Sequence, residues 1–532
     1  MTAVTAYESF ANSDGLVGIR NSAGKWRKSS DAGGLLHYLR YSSGESIRVV
    51  WDLDGFIAPV LRCLPEDVLE RLSKFDGELT FQTHELYYLP GRMFRVGKAR
   101  FYGIRDYWGA LTDERPSLDV VRARAVELID ALGKIGLPEP RKLTSAIAVF
   151  EDSDWGKAVY ESLPKGFDLP EDCLEMLEYA SEADGKDWVS NHYVGRFAEG
   201  EIFDYDMVAA YGSVAATLPD LRDLNYWKAT KLGDRERAAV LGIVKGKFTL
   251  DPDAEYAHCS PIIGMVGELP GNPLGKLPTD CYTLSQVKFV EDYGLGTFKM
   301  KDGWFAEPSG DTVRYPLREV MVQLYESRAI SPLAGKVAKS IANSLVGKMI
   351  ETRVGRDGMV YGPLRNDLFH ATITSQARIE VARFLIEHEV KADELLCVQT
   401  DGVKLTRDIP LESNGMGSWV NKGSCATVIL SPYKVYSADA RPYRITYADL
   451  ACMVTEHPQA QRYSKTVKHR LTLVQAIRNY EDITRVGEWM ETPTSVDLIT
   501  LDTEQNRQYA DLPSTGLGLL SGQYQSVPHV LG

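Results

Sequence analysis

Two apolar, strand-like segments that each end near an aspartate, with a lysine-bearing helix between them, constrain this chain more than any other feature. The first reads FDYDMVAAYGS (residues 203–213) and carries Asp206; the second reads LLCVQTDGVKL (395–405) and carries Asp401. The helix between them reads KSIANSLVGK (339–348). A carboxylate at a strand end can project into a cleft, and two carboxylates brought together can hold two divalent metal ions. Taken alone, each aspartate is more often structural. Asp401 precedes Gly402 between two apolar runs, and Asp-Gly in that setting signals a type I′ hairpin turn. Asp204 is a rival ligand, two residues before Asp206 and on the same strand face. After Asp206 the chain reads as the start of a helix, which predicts Tyr211 about one and a half turns further on. Lys339, Asn343 and Gly347 recur every four residues and share one helix face. There a lysine could meet a triphosphate and a glycine would allow close approach; the plainer reading is a solvated lysine on an amphipathic helix.

Composition sets outer limits. At 532 residues, three or four domains are expected. A hydrophobic fraction of 44% and a charged fraction of 25% are ordinary for a soluble globular protein. No apolar run is long enough to span a membrane, and the first residues, MTAVTAYESFANSDG, do not read as a signal peptide. The seven cysteines are scattered with no C-x-x-C pair, so neither a disulfide framework nor a zinc site is expected, and a reducing cytoplasm fits. The net charge of −13 argues weakly against nucleic-acid binding, although a sum hides local clusters. Basic residues gather at Arg314, Arg318, Arg328, Lys336, Lys339 and Lys348, and again at Arg462, Lys465, Lys468, His469 and Arg470. Without a ligand these read as two solvated helix faces.

The N-terminal third mixes strands and helices in an α/β pattern. IRVVWDLDGF (47–56) reads as a buried strand ending in acidic residues, and 78–109 as a run of strands with turns at Pro90-Gly91 and Gly97. Residues 117–136 have helical periodicity ending at a glycine. A charged stretch over 151–190 reads as a linker. From Tyr193 to Val313 the chain is mainly strands, and 316–349 form two helices split at Ser331-Pro332. A helix over 373–389 precedes the second aspartate. The last hundred residues read as helix-rich, with a Gly/Ser-containing, poorly ordered tail from Pro513.

In their order and spacing, the three central segments resemble the polymerase motifs of family B DNA polymerases, most closely the protein-primed phage and plasmid members and their phage relatives. The resemblance covers Tyr193 to Tyr436. Asp206 and Tyr211 match the first motif's aspartate and tyrosine, while Ala209 and Gly212 replace its serine and proline. Lys339, Asn343, Ser344 and Gly347 match the second, with Val346 in place of a tyrosine. The third usually carries two aspartates around a threonine; here Gln399-Thr400-Asp401 lacks the first. Tyr193-Val194-Gly195-Arg196 resembles the motif joining the exonuclease and polymerase regions, and Lys434-Val435-Tyr436 resembles one that holds the primer terminus.

The resemblance implies an α/β and α+β multidomain protein, with an RNase H-like exonuclease-type domain followed by a right-hand polymerase. The segments would be 1–150 (degenerate exonuclease-like), 151–190 (linker), 191–313 (first part of the palm, with a possible insertion near 251–280), 314–350 (fingers), 351–430 (second part of the palm) and 431–532 (thumb and tail). It implies template-directed transfer of a deoxynucleotide to a primer 3′-hydroxyl or a protein hydroxyl, with two Mg²⁺ or Mn²⁺ ions on Asp206, Asp401 and the Met207 carbonyl. Lys339 would offset charge on the triphosphate, Tyr211 would stack under the sugar, and Asn343 and Gly347 would line the nascent pair. Tyr193, Gly195, Arg196, Lys434 and Tyr436 would contact DNA. The partners implied are template DNA, a primer strand or priming protein, and deoxynucleoside triphosphates, with no membrane. The setting implied is the cytoplasm of a bacterial host, with a phage or plasmid source. Val346 would leave the nascent base pair without an aromatic neighbour, altering fidelity or nucleotide affinity.

The exonuclease region reads as degenerate. Asp54 would be the second motif's surviving aspartate; Tyr7-Glu8-Ser9-Phe10 is the candidate first motif, with Phe10 in place of a glutamate; the third should lie near Asp119 but lacks its tyrosine. The gap between Gly347 and Ile373 leaves little room for the second insertion of protein-primed members. The missing carboxylate at Gln399 keeps open another class of function, a non-catalytic polymerase-like factor binding DNA or a replication protein.

Overall fold

A computed structural model describes residues 3–531 except 12–15, 42–45, 74–78, 90–91, 109–115, 138–142, 165–168, 170–172, 178–188, 192, 197–200, 267–268, 272, 356–357, 413–414, 426–427, 432–433, 438–444, 457–461, 472–474, 477–484, 486–487, 498–506, 510–523 and 529. The chain forms two compact units. The first gathers Met1–Ala158, Glu326–Ile341 and Thr466–Pro493; the second gathers Val159–Tyr325, Ala342–Lys465 and Thr494–Gly532.

The first unit is built on an eight-stranded sheet. Its strands are β1 (Val4–Ala11), β2 (Val17–Asn21), β3 (Trp26–Ser29), β4 (Ile47–Val50), β5 (Leu79–Phe81), β6 (His84–Leu89), β7 (Met93–Val96) and β8 (Ala99–Gly103), in the order β3-β2-β1-β4-β8-β7-β6-β5. The centre is parallel, β1 to β4 and β4 to β8, and both flanks are antiparallel meanders. A parallel centre is covered on both faces, which is why IRVV reads as a continuous apolar run rather than an alternating one. Helices Leu53–Leu61 and Leu118–Lys134 pack on it. Tyr7 and Phe56 close on Phe101, edge-on at 5.1 Å and stacked at 5.7 Å respectively. The expected strand over 47–56 stops at Val50: Asp52 caps a helix whose first residues are Leu53 and Asp54. Apolar residues at 53, 56, 57, 60 and 61 keep helical rather than alternating spacing, and all are buried. The turn at Gly97 is present with a positive φ; Pro90-Gly91 lie outside the described residues.

In the second unit, one antiparallel sheet runs in the order Trp419–Cys425, Ile202–Met207, Gly402–Leu405, Leu395–Gln399, Val189–Asn191. The 21-residue helix Asp367–Glu387 belongs to the same core through Ile379, Phe384 and Leu385. It is buried on nearly every side, as a helix with apolar residues all round should be. Phe384 stacks on Trp419 of the sheet at 4.1 Å. A second sheet centres on the long strands Leu241–Leu250 and Gly296–Pro308. Within 251–280 lie a 3₁₀ turn, the short hairpin Gly264–Val266/Leu269–Gly271 and the strand Leu274–Lys276. Between Gly347 and Ile373 the described residues form a 3₁₀ turn, Lys348–Ile350, and the two-stranded hairpin Thr352–Gly355/Gly358–Tyr361 before the helix begins.

Several expectations fail. Part of the proposed 151–190 linker is helix, Asp154–Ser162. The last hundred residues are not helix-rich where described. They hold one clear helix, Tyr447–Glu456, and a ribbon of Arg462–Arg470 with Trp489–Asp497. The basic cluster from Arg462 to Arg470 therefore alternates along a strand, not around a helix. The described part of the tail also pairs as strands: Tyr524–Pro528 joins Tyr193–Arg196, and Val530–Leu531 joins Leu274–Lys276.

Candidate active site

Asp206 lies one residue from the end of the Ile202–Met207 strand, opposite Gly402 on one side and Val420 on the other. Asp401 lies in the turn between Leu395–Gln399 and Gly402–Leu405. The two are joined through backbone: the Met207 N–H donates to the Asp401 carbonyl at 3.0 Å. Both aspartates are half-buried.

The turn differs from the expected one. Gln399 pairs with Gly402, so the two-residue loop is Thr400-Asp401 rather than Asp401-Gly402. Thr400 alone of the pair has a positive φ, 56°, which is the type II′ pattern rather than I′. Gly402 serves another purpose. A Cβ there would sit 2.9 Å from the Tyr205 carbonyl and 3.3 Å from Asp206 Oδ1, so glycine is what lets the hairpin close against Asp206. Ala209 also has a positive φ, 54°, and caps the short helix Ala210–Ala215. Left-handed backbone is costly for residues with a Cβ, and here it flanks both aspartates. Tyr211 is the second residue of that helix, across a sharp turn from Asp206 rather than further along one helix as expected.

Two lysines that sequence reasoning missed answer the two strand aspartates. Lys404, 7% exposed, pairs with Asp204 across the ladder. Lys422 Nζ, 49% exposed, reaches Asp206 Oδ2 at 2.6 Å. Lys404 was legible as a charge inside an apolar strand; nothing in the sequence pointed to Lys422, which only the pairing of Trp419–Cys425 brings in. Tyr205, between the two aspartates, faces the other way. Its hydroxyl donates to Asp408, and burial pushes it up to about 12.

The helix Pro332–Gly347 carries Lys339, Asn343 and Gly347 on an exposed stripe, as their spacing predicts. Val346 lies off that stripe, 4% exposed in the interior, so no open surface awaits an aromatic ring there. Lys339 belongs to the first unit and the two aspartates to the second. Its basic neighbours serve the fold: Arg314 grips Asp223, Lys348 pairs with Glu351, and Lys336 donates to the Trp108 carbonyl. The Arg314 hydrogen bonds pull Asp223 down to about 2. Tyr193–Arg196 and Lys434–Ser437 are strands of one sheet with Val428–Ser431 between them.

Among the described residues no group of three or more His, Cys, Asp or Glu could hold a metal ion. That does not conflict with Mg²⁺, which is usually held by one or two carboxylates plus water and substrate phosphates rather than by an all-protein cage. Asp206, Asp401 and the nearby backbone fit such a site.

No family profile and no curated protein sequence matches this chain. Solved structures do. The orthorhombic crystal form of the phi29 DNA polymerase matches with a TM-score of 0.58 at 11% identity, covering 94% of this chain and 100% of that one. The same polymerase with primer-template DNA gives 0.56 at 12% identity, over 94% and 100%. Its complex with primer-template DNA and incoming nucleotide gives 0.55 at 11%, over 93% and 99%. The chain shares the mixed α/β, multidomain fold of the phi29 DNA polymerase. No helix of the described residues is long and apolar enough to cross a membrane.

Proposed function

We propose that this protein is a DNA-directed DNA polymerase that transfers deoxynucleotides to a primer 3′-hydroxyl, with Asp206 and Asp401 as its metal-binding carboxylates. The observation that carries this reading is the backbone bond from Met207 to Asp401, which brings the two aspartates to one end of one sheet within a phi29-polymerase-like fold. Asp206, Asp401 and the Met207 carbonyl would hold divalent ions, Mg²⁺ or Mn²⁺. When bound, such ions lower the pKa of an attacking hydroxyl and stabilise the leaving pyrophosphate.

The chain's own residues orient and neutralise. Lys339, exposed on its helix, would meet the triphosphate, with Asn343 and Gly347 along the same stripe. Tyr211 would lie under the sugar. Tyr193, Gly195 and Arg196, sharing a sheet with Lys434 and Tyr436, would track the primer and template backbone. Asp204 takes no part, because Lys404 already engages it.

The first unit is read as an RNase H-like domain from its parallel β1-β4-β8 centre and antiparallel β2-β3 flank, and as inactive in proofreading. Three carboxylates there are engaged, Glu8 by Arg20, Asp52 by Arg105 and Asp54 by Tyr88, while Asp119 is exposed on its helix. The remaining segments would follow as palm, fingers and thumb, and the chain as a phage or plasmid enzyme working in a bacterial cytoplasm.

One observation favours a second reading, a polymerase-like DNA-binding factor without catalysis: position 399 is glutamine and Asp206 is covered by a lysine. Primer extension with Mg²⁺ and four deoxynucleotides separates the two. Extension that Asp401→Ala abolishes supports the enzyme. DNA binding without extension in the unmutated protein overturns it.

A further inference from the structure

Two aspartates on one strand face, Asp204 and Asp206, each meet a lysine, yet the two lysines are held very differently. Lys404 is 7% exposed and sits in the ladder directly opposite Asp204. Its ammonium lies among buried groups such as Cys397, where only the pairing compensates for lost hydration. Lys422 is 49% exposed and lies on the edge strand Trp419–Cys425, next to Gly423 with its positive φ of 121°. A half-exposed lysine on a flexible four-carbon stem gains little from its partner and can leave it at small cost. Asp206 Oδ1, meanwhile, faces the space that Gly402 keeps clear, while Oδ2 is the oxygen Lys422 takes.

We propose that Lys422 is a tethered counter-cation that competes with a divalent metal ion for Asp206. With no metal bound, its ammonium neutralises the carboxylate; when a divalent ion arrives, Lys422 swings into solvent. The site is thereby tuned to need more metal than its two carboxylates would otherwise require. This inference rests on the reading of Asp206 as a metal ligand. Lys404 cannot play the same part, because leaving Asp204 would strand a buried ammonium.

The test is direct binding of Mn²⁺ to the full-length protein without DNA or nucleotide, followed by the loss of the free-ion electron paramagnetic resonance signal. Lys422→Gln should tighten Mn²⁺ binding by up to about fivefold, the range an exposed ion pair commands. Lys422→Arg, which keeps the charge, should stay within about twofold of the unmutated protein on the same grounds. In an Asp206→Asn background, Lys422→Gln should change nothing. Unchanged or weaker binding by Lys422→Gln, with Asp206→Asn still lowering affinity, overturns the role of Lys422 and leaves the metal reading standing. If Asp206→Asn and Asp401→Asn both leave Mn²⁺ binding untouched, the metal reading itself falls, and this inference with it.

Discussion

The two units each carry acidic residues near where a chain leaves a sheet, and the sharpest difference between them is Asp54, held by the buried Tyr88, against Asp206, held by the half-exposed Lys422. In the first, Asp52 caps a helix and pairs with Arg105 at 3.3 Å, while Asp54 accepts a 2.5 Å bond from the buried Tyr88 hydroxyl. Glu8, on the central strand β1, is paired with Arg20. In the second unit, Asp206 meets the half-exposed Lys422, and Asp401 is carried at the tip of a tight hairpin. A carboxylate at a strand end therefore says little until the group that answers it is known. A buried partner such as Tyr88 consumes the charge in holding the fold; a half-exposed one such as Lys422 leaves it available to a ligand.

The sharpest way to break this contrast is to remove one aspartate from each side. Asp401→Ala should cut primer extension by about a thousandfold, since losing a metal ligand forfeits several kcal/mol of transition-state stabilisation. Asp54→Ala should leave extension unchanged and reveal no lost 3′→5′ digestion, read on a labelled primer. Equal losses in both variants, or digestion that disappears with Asp54, would erase the distinction.

A second test concerns protons. His370 sits inside the second unit on the helix Asp367–Glu387, and burial, with Arg378 adding to it against the Asp367 carboxylate, lowers it from 6.5 to about 4. The folded state thus binds this proton less readily than the unfolded chain. Its contribution is present in full above pH 6.5 and is lost as pH falls towards 4, by up to about 3 kcal/mol. His370→Gln should flatten the fall of unfolding free energy over that window. A slope equal to that of the unmutated protein would show that His370 does not carry it.

Much of the candidate site was legible in the chain because it depends on local pattern. The apolar runs around residues 206 and 401 did become neighbouring strands, and the four-residue spacing of Lys339, Asn343 and Gly347 did make one exposed stripe. What failed depends on pairing partners far away in sequence. The Asp-Gly signal put the turn one residue late, because Gly402 is a glycine for the sake of Asp206 and not for the turn. The segment WDLDGF continued an apolar strand by composition, while the cap at Asp52 turned it into a helix. Lys422 carries no local signature, since only the edge strand's register brings it to Asp206. The basic residues from Arg462 to Arg470 fit a helix face or a strand edge equally well until Trp489–Asp497 pairs with them.

Gly402 tests how closely the open side is built. Gly402→Ala places a methyl group 2.9 Å from the Tyr205 carbonyl and 3.3 Å from Asp206 Oδ1. Overpacking of that kind costs about 2 kcal/mol, and it should lower extension more than stability predicts because it displaces the carboxylate itself. Denaturant unfolding and extension measured on the same preparation separate the two effects. A variant that loses stability but keeps full activity would show that the hairpin can shift without disturbing Asp206.

The smallest expected effect probes the closed side. Tyr88 is 2% exposed, and burial, then the charge and hydrogen bond of Asp54, push its hydroxyl well above the usual phenol range. It therefore remains a donor at every pH the protein meets, and Asp54 remains occupied. Tyr88→Phe keeps the ring and removes only the donor. Asp54 is half-buried and can recover part of its solvation from water, so the loss should be about 1 kcal/mol of unfolding free energy. Removing this donor should not create a nuclease, because Glu8 and Asp52 keep their arginines and no three-carboxylate cluster forms among the described residues. Digestion of a single-stranded primer by Tyr88→Phe in Mn²⁺, absent from the unmutated protein, would mean that one hydroxyl was all that kept the first unit silent.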